Sequence, residues 1–246
     1  MQKIVLVGII AAVFGATFAR DLPDFLHVCK RNDPNLGECI KNSVENFKPY
    51  LKQGLAEYKI PSLEPLLLKE VASNTGGSLK LKLSNVKVSG ASNFTLNTVK
   101  ASLQKLRFII NLNIPSLTIK SDYNVDGKII LLQIRGTGPL DGHFYDCKGV
   151  VRLQMEMTKG KDGQDYLKVS DLSTKFTVGG GSLKLQNLFG GDQALGDAVN
   201  MAINSNLDAF MQELTPTLEA AISDTFTQIA NGILPEYSYD VLFPTS

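Results

Sequence analysis

The sequence predicts an α+β fold: a single elongated domain in which a long C-terminal α-helix is wrapped by a highly curved antiparallel β-sheet. Three observations carry this expectation. The middle of the chain alternates apolar and polar residues with period two, so each strand has one apolar face. After Asp192 the period becomes helical, and one apolar stripe runs through Leu195, Val199, Ile203, Leu207, Phe210, Leu214, Leu218, Ile222, Phe226, Ile229 and Ile233. A helix of about 40 residues spans about 60 Å, whereas a compact sphere of this mass is only about 45 Å across. The stripe also drifts by roughly 20° per turn, so it winds around the helix. A single-faced sheet buries such a stripe by curling around it. The expected product is a half-open barrel with a dry interior running lengthwise.

At the N-terminus, Lys3 precedes the apolar run 4–14 and small residues around Thr17 and Ala19, the three regions of a secretory signal peptide. The run is about half of the ~20 residues a membrane-spanning helix needs, so cleavage after Ala19 is expected, giving residues 1–19 as signal and 20–246 as one domain. The mature protein is then secreted and extracellular, without stable membrane insertion, in a compartment where disulfides persist. Cys29 and Cys39 stand ten residues apart around a turn-rich loop and are expected to pair, which is worth about 3 kcal/mol in the chain-entropy model. Cys147 is left over and reads as a buried, inert thiol. Asn93-Phe94-Thr95 is the single permitted N-glycosylation triplet.

Ile40, Val44, Phe47, Leu51, Leu55 and Tyr58 recur at steps of three and four and predict an amphipathic helix ending by Pro61. Residues 60–68, with prolines at 61 and 65, read as an extended connector. Gly76-Gly77 opens the sheet. Its strands carry Leu79, Leu81 and Leu83; Leu106, Phe108, Ile110 and Leu112; Leu117, Ile119, Tyr123 and Val125; Ile130, Leu132 and Ile134; Val151, Leu153, Met155 and Met157; Leu172, Phe176 and Val178; and Leu183 with Leu185. Asp126-Gly127, Lys159-Gly160, Asp162-Gly163 and Gly179-Gly180-Gly181 are expected turns, and the glycines at 136–142 an expected loop. Gly-Gly-Ser-Leu-Lys-Leu occurs at 76–81 and again at 180–185, read as two similar strand entries. Asp192 is placed to cap the long helix, and Pro216 to kink it.

Composition limits the chemistry. The 246 residues hold 25 basic and 24 acidic side chains, two histidines, three cysteines and no tryptophan. A net charge near +1 gives no whole-chain footprint for nucleic acid, and so few histidines and cysteines disfavour zinc sites. No nucleophile elbow, HExxH, P-loop or dinucleotide fingerprint occurs. His27 and His143 have no sequence neighbours that mark a triad. The chain is therefore read as a non-enzyme with no cofactor and no metal. The residues expected to line the interior and contact a ligand are Phe108, Ile110, Leu132, Ile134, Leu153, Met155, Phe176, Leu207, Phe210, Met211 and Leu214. Two other readings stay open: an extracellular interaction or signalling protein with a filled core and no ligand, and a secreted enzyme acting on a lipid ester.

Several short motifs, in order and spacing, carry a resemblance. They are Cys29 with Cys39, Ile60-Pro61-Ser62-Leu63-Glu64-Pro65-Leu66, Ser121-Asp122-Tyr123 with Gly127-Lys128-Ile129, and Asn187-Leu188-Phe189 with Gly191-Asp192 and Leu195-Gly196. Pro216, Tyr239-Asp240 and Leu242-Phe243-Pro244 complete the set. The chain resembles the insect takeout and juvenile-hormone-binding-protein family. The resemblance implies a super-roll of the TULIP type and a secreted carrier of juvenile hormone, a terpenoid or a fatty-acid-like lipid. Links to circadian, feeding or chemosensory physiology and an unidentified receptor also fit the family. Hormone-binding members carry a second disulfide from the sheet to the long helix; here that helix has no cysteine, which places the chain nearer the takeout branch.

Overall fold

The computed structural model describes residues 22–72, 79–129 and 132–245. The expected signal segment and the Gly76-Gly77 strand entry lie outside the described residues. The described elements are α1 (Leu36–Gln53), β1 (Leu66–Ala72), β2 (Leu79–Ser89), β3 (Thr95–Ser102), β4 (Arg107–Ile129), β5 (Leu132–Lys159), β6 (Asp165–Thr177), β7 (Gly180–Leu185), α2 (Gln193–Ser205), α3 (Leu207–Ile233) and the short α4 (Tyr239–Leu242). Two very long antiparallel strands, β4 and β5, form the centre. On the far side of β4, β2 and β3 lie end to end; on the far side of β5, β7 and β6 do the same. β1 pairs with β2 and is the outer strand there, so the sheet remains open between β1 and β6.

The sequence divides β4 and β5 into shorter pieces, and the structure corrects this. β4 has 23 residues and β5 has 28. The reason is a change of phase rather than a break. Phe108 is buried while its neighbour Arg107 is exposed, yet beyond Pro115 the buried set is Ser121, Tyr123 and Val125. The inward phase of β5 flips in step at Asp146, whose φ is +49°. The pairing from Ile114↔Cys147 to Ser116↔Tyr145 runs through without slippage. The glycines at 136–142 thus belong to strand β5 and not to a loop. Gly138 is glycine because a Cβ would run into the carbonyl oxygen of Gln186, where the chain crosses over the strand. Asp126-Gly127 likewise lies inside β4, and Gly180 already belongs to β7. The connector at 60–68 becomes strand β1 from Leu66, and β3 was not foreseen.

The single long helix is also corrected. It breaks at Asn206, which takes φ −127° and ψ 37° between α2 and α3. The run Asn204-Ser205-Asn206 has poor helix propensity because such side chains compete for nearby backbone groups; the Asn206 amide bonds to the Ala202 carbonyl at 2.9 Å. α3 runs through Pro216. Asp192 caps α2 as expected, accepting from the Leu195 N–H at 3.0 Å.

The two helices close the roll along its open side. The Asn204 side chain accepts from the N–H of Leu183 (2.7 Å) and donates to its C=O (2.8 Å), and Asn200 does the same with Leu185 (2.8 and 2.9 Å). Each carboxamide stands in for a strand residue at the free edge of β7. Along β6, Asn231 holds both backbone groups of Val169, the Ser223 hydroxyl accepts from the Thr174 N–H, and the Glu219 carboxylate accepts from the Phe176 N–H. An exposed strand edge is a liability that proteins cover, and here the cover is a helix bearing polar side chains. On its other flank α3 packs against β1.

α1 is fixed to β3 in a similar way. Glu45 accepts from the Leu96 N–H at 3.1 Å and pairs with Lys48, which also donates to the Phe94 carbonyl. The Cys29–Cys39 disulfide ties the N-terminal arm to α1. Arg31 ties the same arm to the C-terminus, donating to the Phe243 carbonyl at 3.1 Å and to Asp240 at 2.6 Å.

Candidate functional site

The inward rows of the sheet, the inward stripe of α3 and the inner face of α1 enclose a cavity of about 740 Å³, within the range of small-molecule sites. α3 contributes Leu214, Leu218, Ile222, Phe226, Ile229 and Ile233, one long row. From the sheet come alternate residues of β1, β2, β4 and β5, and from the N-terminal arm Leu22, Pro23 and Leu26. Packing is firm at the end where α2 and β7 meet the sheet, and a second apolar cluster forms under α1 around Phe94, Leu96 and Val99. Between them lie inward side chains that pack against one cluster or the other and also border the cavity. Ile110, Leu112, Ile114, Leu117 and Ile119 face the interior yet are only half-buried, and interiors filled to normal density leave no such surface.

Polar groups at the wall are already engaged. The Tyr123 hydroxyl donates to the Gln186 carbonyl at 2.6 Å, and burial pushes its pKa up. Thr174 Oγ1 donates to the Glu219 carbonyl at 3.0 Å and lies 2.9 Å from Ser223 Oγ. The free thiol of Cys147 is buried, and burial, followed by the nearby Asp146 charge, raises its pKa; it is held as an unreactive thiol. Ser121 Oγ is buried without a hydrogen-bond partner, but it stands outside the cavity lining. Two lysines reach the lining, Lys175 paired with Glu219 and Lys148 3.5 Å from Asp146; the rest of the wall is almost wholly apolar and attracts apolar surface. Among the described residues no group of three or more metal-ligating side chains is clustered.

Of the eleven residues expected at the interior, Ile110, Ile134, Leu153, Phe176, Phe210, Met211 and Leu214 line the cavity. Phe108 does not, because its ring packs against Phe243 with 6.4 Å between centroids. Leu207 is taken up by the firm core at the start of α3. Met155 follows the slip in pairing between β5 and β6, where Gln154 faces Asp171 and Met155 faces Val169, and lies outside the lining. The side chain of Leu132 is outside the described residues. Sequence reasoning missed the contributions of β1 and the N-terminal arm. The alternation Leu66, Leu68 and the run Leu22-Pro23 were there to be read. His27 serves through its carbonyl, which accepts from Ser43, and His143 lies on the outer sheet face 3.2 Å from Thr118 Oγ1; neither touches the cavity.

A rolled antiparallel sheet, closed by a long helix around an apolar cavity, defines the fold class of the chain. The chain belongs to the haemolymph juvenile hormone binding protein family, whose model matches residues 5–244. It is 26% identical over 231 residues to the circadian clock-controlled protein daywake of Drosophila melanogaster, covering 90% of this chain and 88% of that one. It is 24% identical over 215 residues to a putative beta-carotene-binding protein of Schistocerca gregaria, covering 87% and 86%. The crystal structure of takeout 1 from Epiphyas postvittana matches the fold with a TM-score of 0.73 at 24% identity, over 84% of this chain and 94% of that one. No described helix is long and apolar enough to cross a membrane.

Proposed function

We propose that the protein is a secreted, non-catalytic carrier that holds one elongated apolar molecule lengthwise between the sheet and α3. The observation that carries the reading is the 740 Å³ cavity with its almost wholly apolar lining. Ile110, Ile134, Leu153, Phe176, Phe210, Met211 and Leu214 are the proposed contacts. The ligand class is juvenile hormone, a related terpenoid or carotenoid, or a fatty-acid-like lipid, which suits the name of the locust relative. Burial of roughly 400 Å² of ligand surface at about 25 cal/mol per Å² gives about 10 kcal/mol before association costs. Residues 1–19 are the proposed signal peptide, removed to release the domain at 20–246. The family's haemolymph description and the Cys29–Cys39 disulfide support export. Asn93 is exposed at the β2–β3 turn and is the proposed glycan acceptor. A clock-linked physiological role is suggested by the name of the fly relative.

Native mass spectrometry of the protein secreted from insect cells, followed by lipid extraction, tests this directly. The expected spectrum contains a one-to-one complex with an apolar molecule and a mature chain starting at Arg20. An empty protein that also fails to bind fluorescent fatty acids or terpenoids below about 100 μM would refute the carrier reading.

A further inference from the structure

The near-zero net charge conceals a separation of charge. Residues 185–246 contain eight acidic side chains and no lysine or arginine, whereas residues 22–184 contain 23 basic against 15 acidic. The acidic segment forms α2 and α3: α2 lies along β7, and α3 runs between β6 and β1. On β2, Lys82 is paired with Glu70 at 2.9 Å and Lys80 stands opposite Asp126. Lys87, by contrast, stands directly opposite Lys120. Like charges in opposed positions are unfavourable within a sheet, so fold stability does not account for this pair.

The pairing register extends the pair into a row across five strands: Leu67, Lys87, Lys120, Asp141 and Lys184. Register partners share a sheet face, and strands are about 4.8 Å apart, so the row is roughly 19 Å wide. Asp141 is its one carboxylate, 3.9 Å from Lys120 and also accepting from Gln186 at 3.2 Å. The next row carries Thr118, His143 and Ser182, donors suited to phosphate oxygens. A groove of about 550 Å³ runs along both rows beside α2, where Asp197 and Met201 form its other wall. Both margins of the band are apolar and exposed: Leu67 at 62% and Met201 at 71%.

We propose that this band docks the protein on an anionic lipid bilayer, with the lysine row of the outer sheet face and the Met201 edge of α2 toward the lipid. Lysines flanked by exposed apolar side chains suit a bilayer surface, where the ammonium groups meet headgroups while Leu67 and Met201 enter the interface. The charge separation orients the molecule before contact. Each lysine near such a surface strengthens binding about fivefold, so three amount to about 100-fold.

The test is co-sedimentation of the full mature protein with vesicles of phosphatidylcholine alone or with about 30% phosphatidylserine. Binding is expected to require phosphatidylserine and to disappear at about 0.5 M salt, where the Debye length is about 4 Å. The variant Lys87→Gln/Lys120→Gln/Lys184→Gln should lose about 100-fold, and Leu67→Ser/Met201→Ser should weaken the remainder. All five positions are exposed, so thermal stability should hold. Binding of a fluorescent fatty acid should also be unchanged, which separates failure of docking from failure of the carrier reading. Equal binding to both vesicle types overturns the proposal. So does a lysine variant that sediments like the wild type, and so does retention on a soluble polyanion such as heparin without vesicle binding.

Discussion

Enlarging a side chain in a filled core and in an empty cavity has opposite consequences, and Val151→Phe and Ile222→Phe exploit this. Val151 on β5 and Ile222 on α3 both line the cavity and both are half-buried. In a filled interior each added ring would force displaced rotamers and cost about 1 to 3 kcal/mol. In the structure the ring meets void. Val→Phe adds on the order of 50 Å³ and Ile→Phe about 25 Å³, so the recovered packing is about 1.2 and about 0.6 kcal/mol at 24 cal/mol per Å³. Urea denaturation should therefore show each variant unchanged or up to about 1 kcal/mol more stable than the wild type. Titration with a fluorescent fatty acid should show the opposite trend, with the double variant at least about tenfold weaker, because roughly 75 of the 740 Å³ is gone. Loss of 1 kcal/mol or more in each variant, with probe binding unaltered, would refute the cavity reading and favour a packed interior.

Three further outcomes are expected. Asn204→Ala leaves the Leu183 backbone groups without their helix partners; it should cost about 1 to 2 kcal/mol and speed hydrogen exchange at the Leu183 amide, whereas an unchanged exchange rate would mean water replaces the carboxamide freely. Burial pushes the Glu64 carboxyl up, but donors from the Gly90 N–H, the Ser92 N–H and the Ser92 hydroxyl hold it below the usual 4.5; Glu45, opposed by burial but bonded to Lys48 and Leu96, is lowered too. Carboxyls depressed in the folded state stabilise it above about pH 4.5 and lose that contribution as pH falls through their folded values, so acid titration of Glu64→Gln and Glu45→Gln should give shallower loss below pH 4.5 than the wild type. Cys29→Ser/Cys39→Ser opens a ten-residue separation and should lower stability by about 3 kcal/mol, read from the denaturation midpoint under non-reducing conditions.

How far the sequence reveals these features depends on the period of each signal. Period two was readable wherever a strand keeps its phase, as in Leu79-Lys80-Leu81-Lys82-Leu83. It misled where the phase flips, since nothing in Ile114-Pro115-Ser116-Leu117 says whether the chain stops or continues with its faces exchanged. β6 poses the same problem at Ser170, the extra residue where Met155 pairs with Val169 while Gln154 pairs with Asp171; Leu167 and Val169 face inward before it, and Thr174 after. The apolar stripe of α2 and α3 is plain, but the position of its break is not, because Asn204 and Ser205, of the same poor propensity, stay helical and only Asn206 leaves. The cavity was anticipated as an architecture, while its membership depended on which inward side chains find partners. Phe108 and Leu207 find them, and that outcome is set by contacts distant in sequence. A second stripe went unread: Asn200 and Asn204, then Glu219, Ser223 and Asn231, spaced by four or eight residues along one edge of the apolar face.

That polar stripe explains how a helix can close this sheet while turning a wholly apolar stripe inward. Residues four apart on a helix rise by about 6.0 Å, and residues two apart on a strand by about 6.6 to 6.8 Å. The two steps nearly match, so a helix running antiparallel to a strand edge can offer one side chain to each outward-facing backbone position. Asn204 with Leu183 and Asn200 with Leu185 do so in consecutive steps. The mismatch of about 0.7 Å per step accumulates, and contact along β6 is accordingly spaced wider, at Asn231, Ser223 and Glu219. A closing strand would sit about 4.8 Å from its neighbour. A helix, about 10 Å across, holds the two sheet margins further apart and brings only one stripe of side chains inside. With the edge satisfied by amides, hydroxyl and carboxylate on the seam, the inward stripe is free to be entirely apolar. Its side chains form one wall of the cavity, and on the proposed carrier reading a long apolar guest would supply the contacts opposite them.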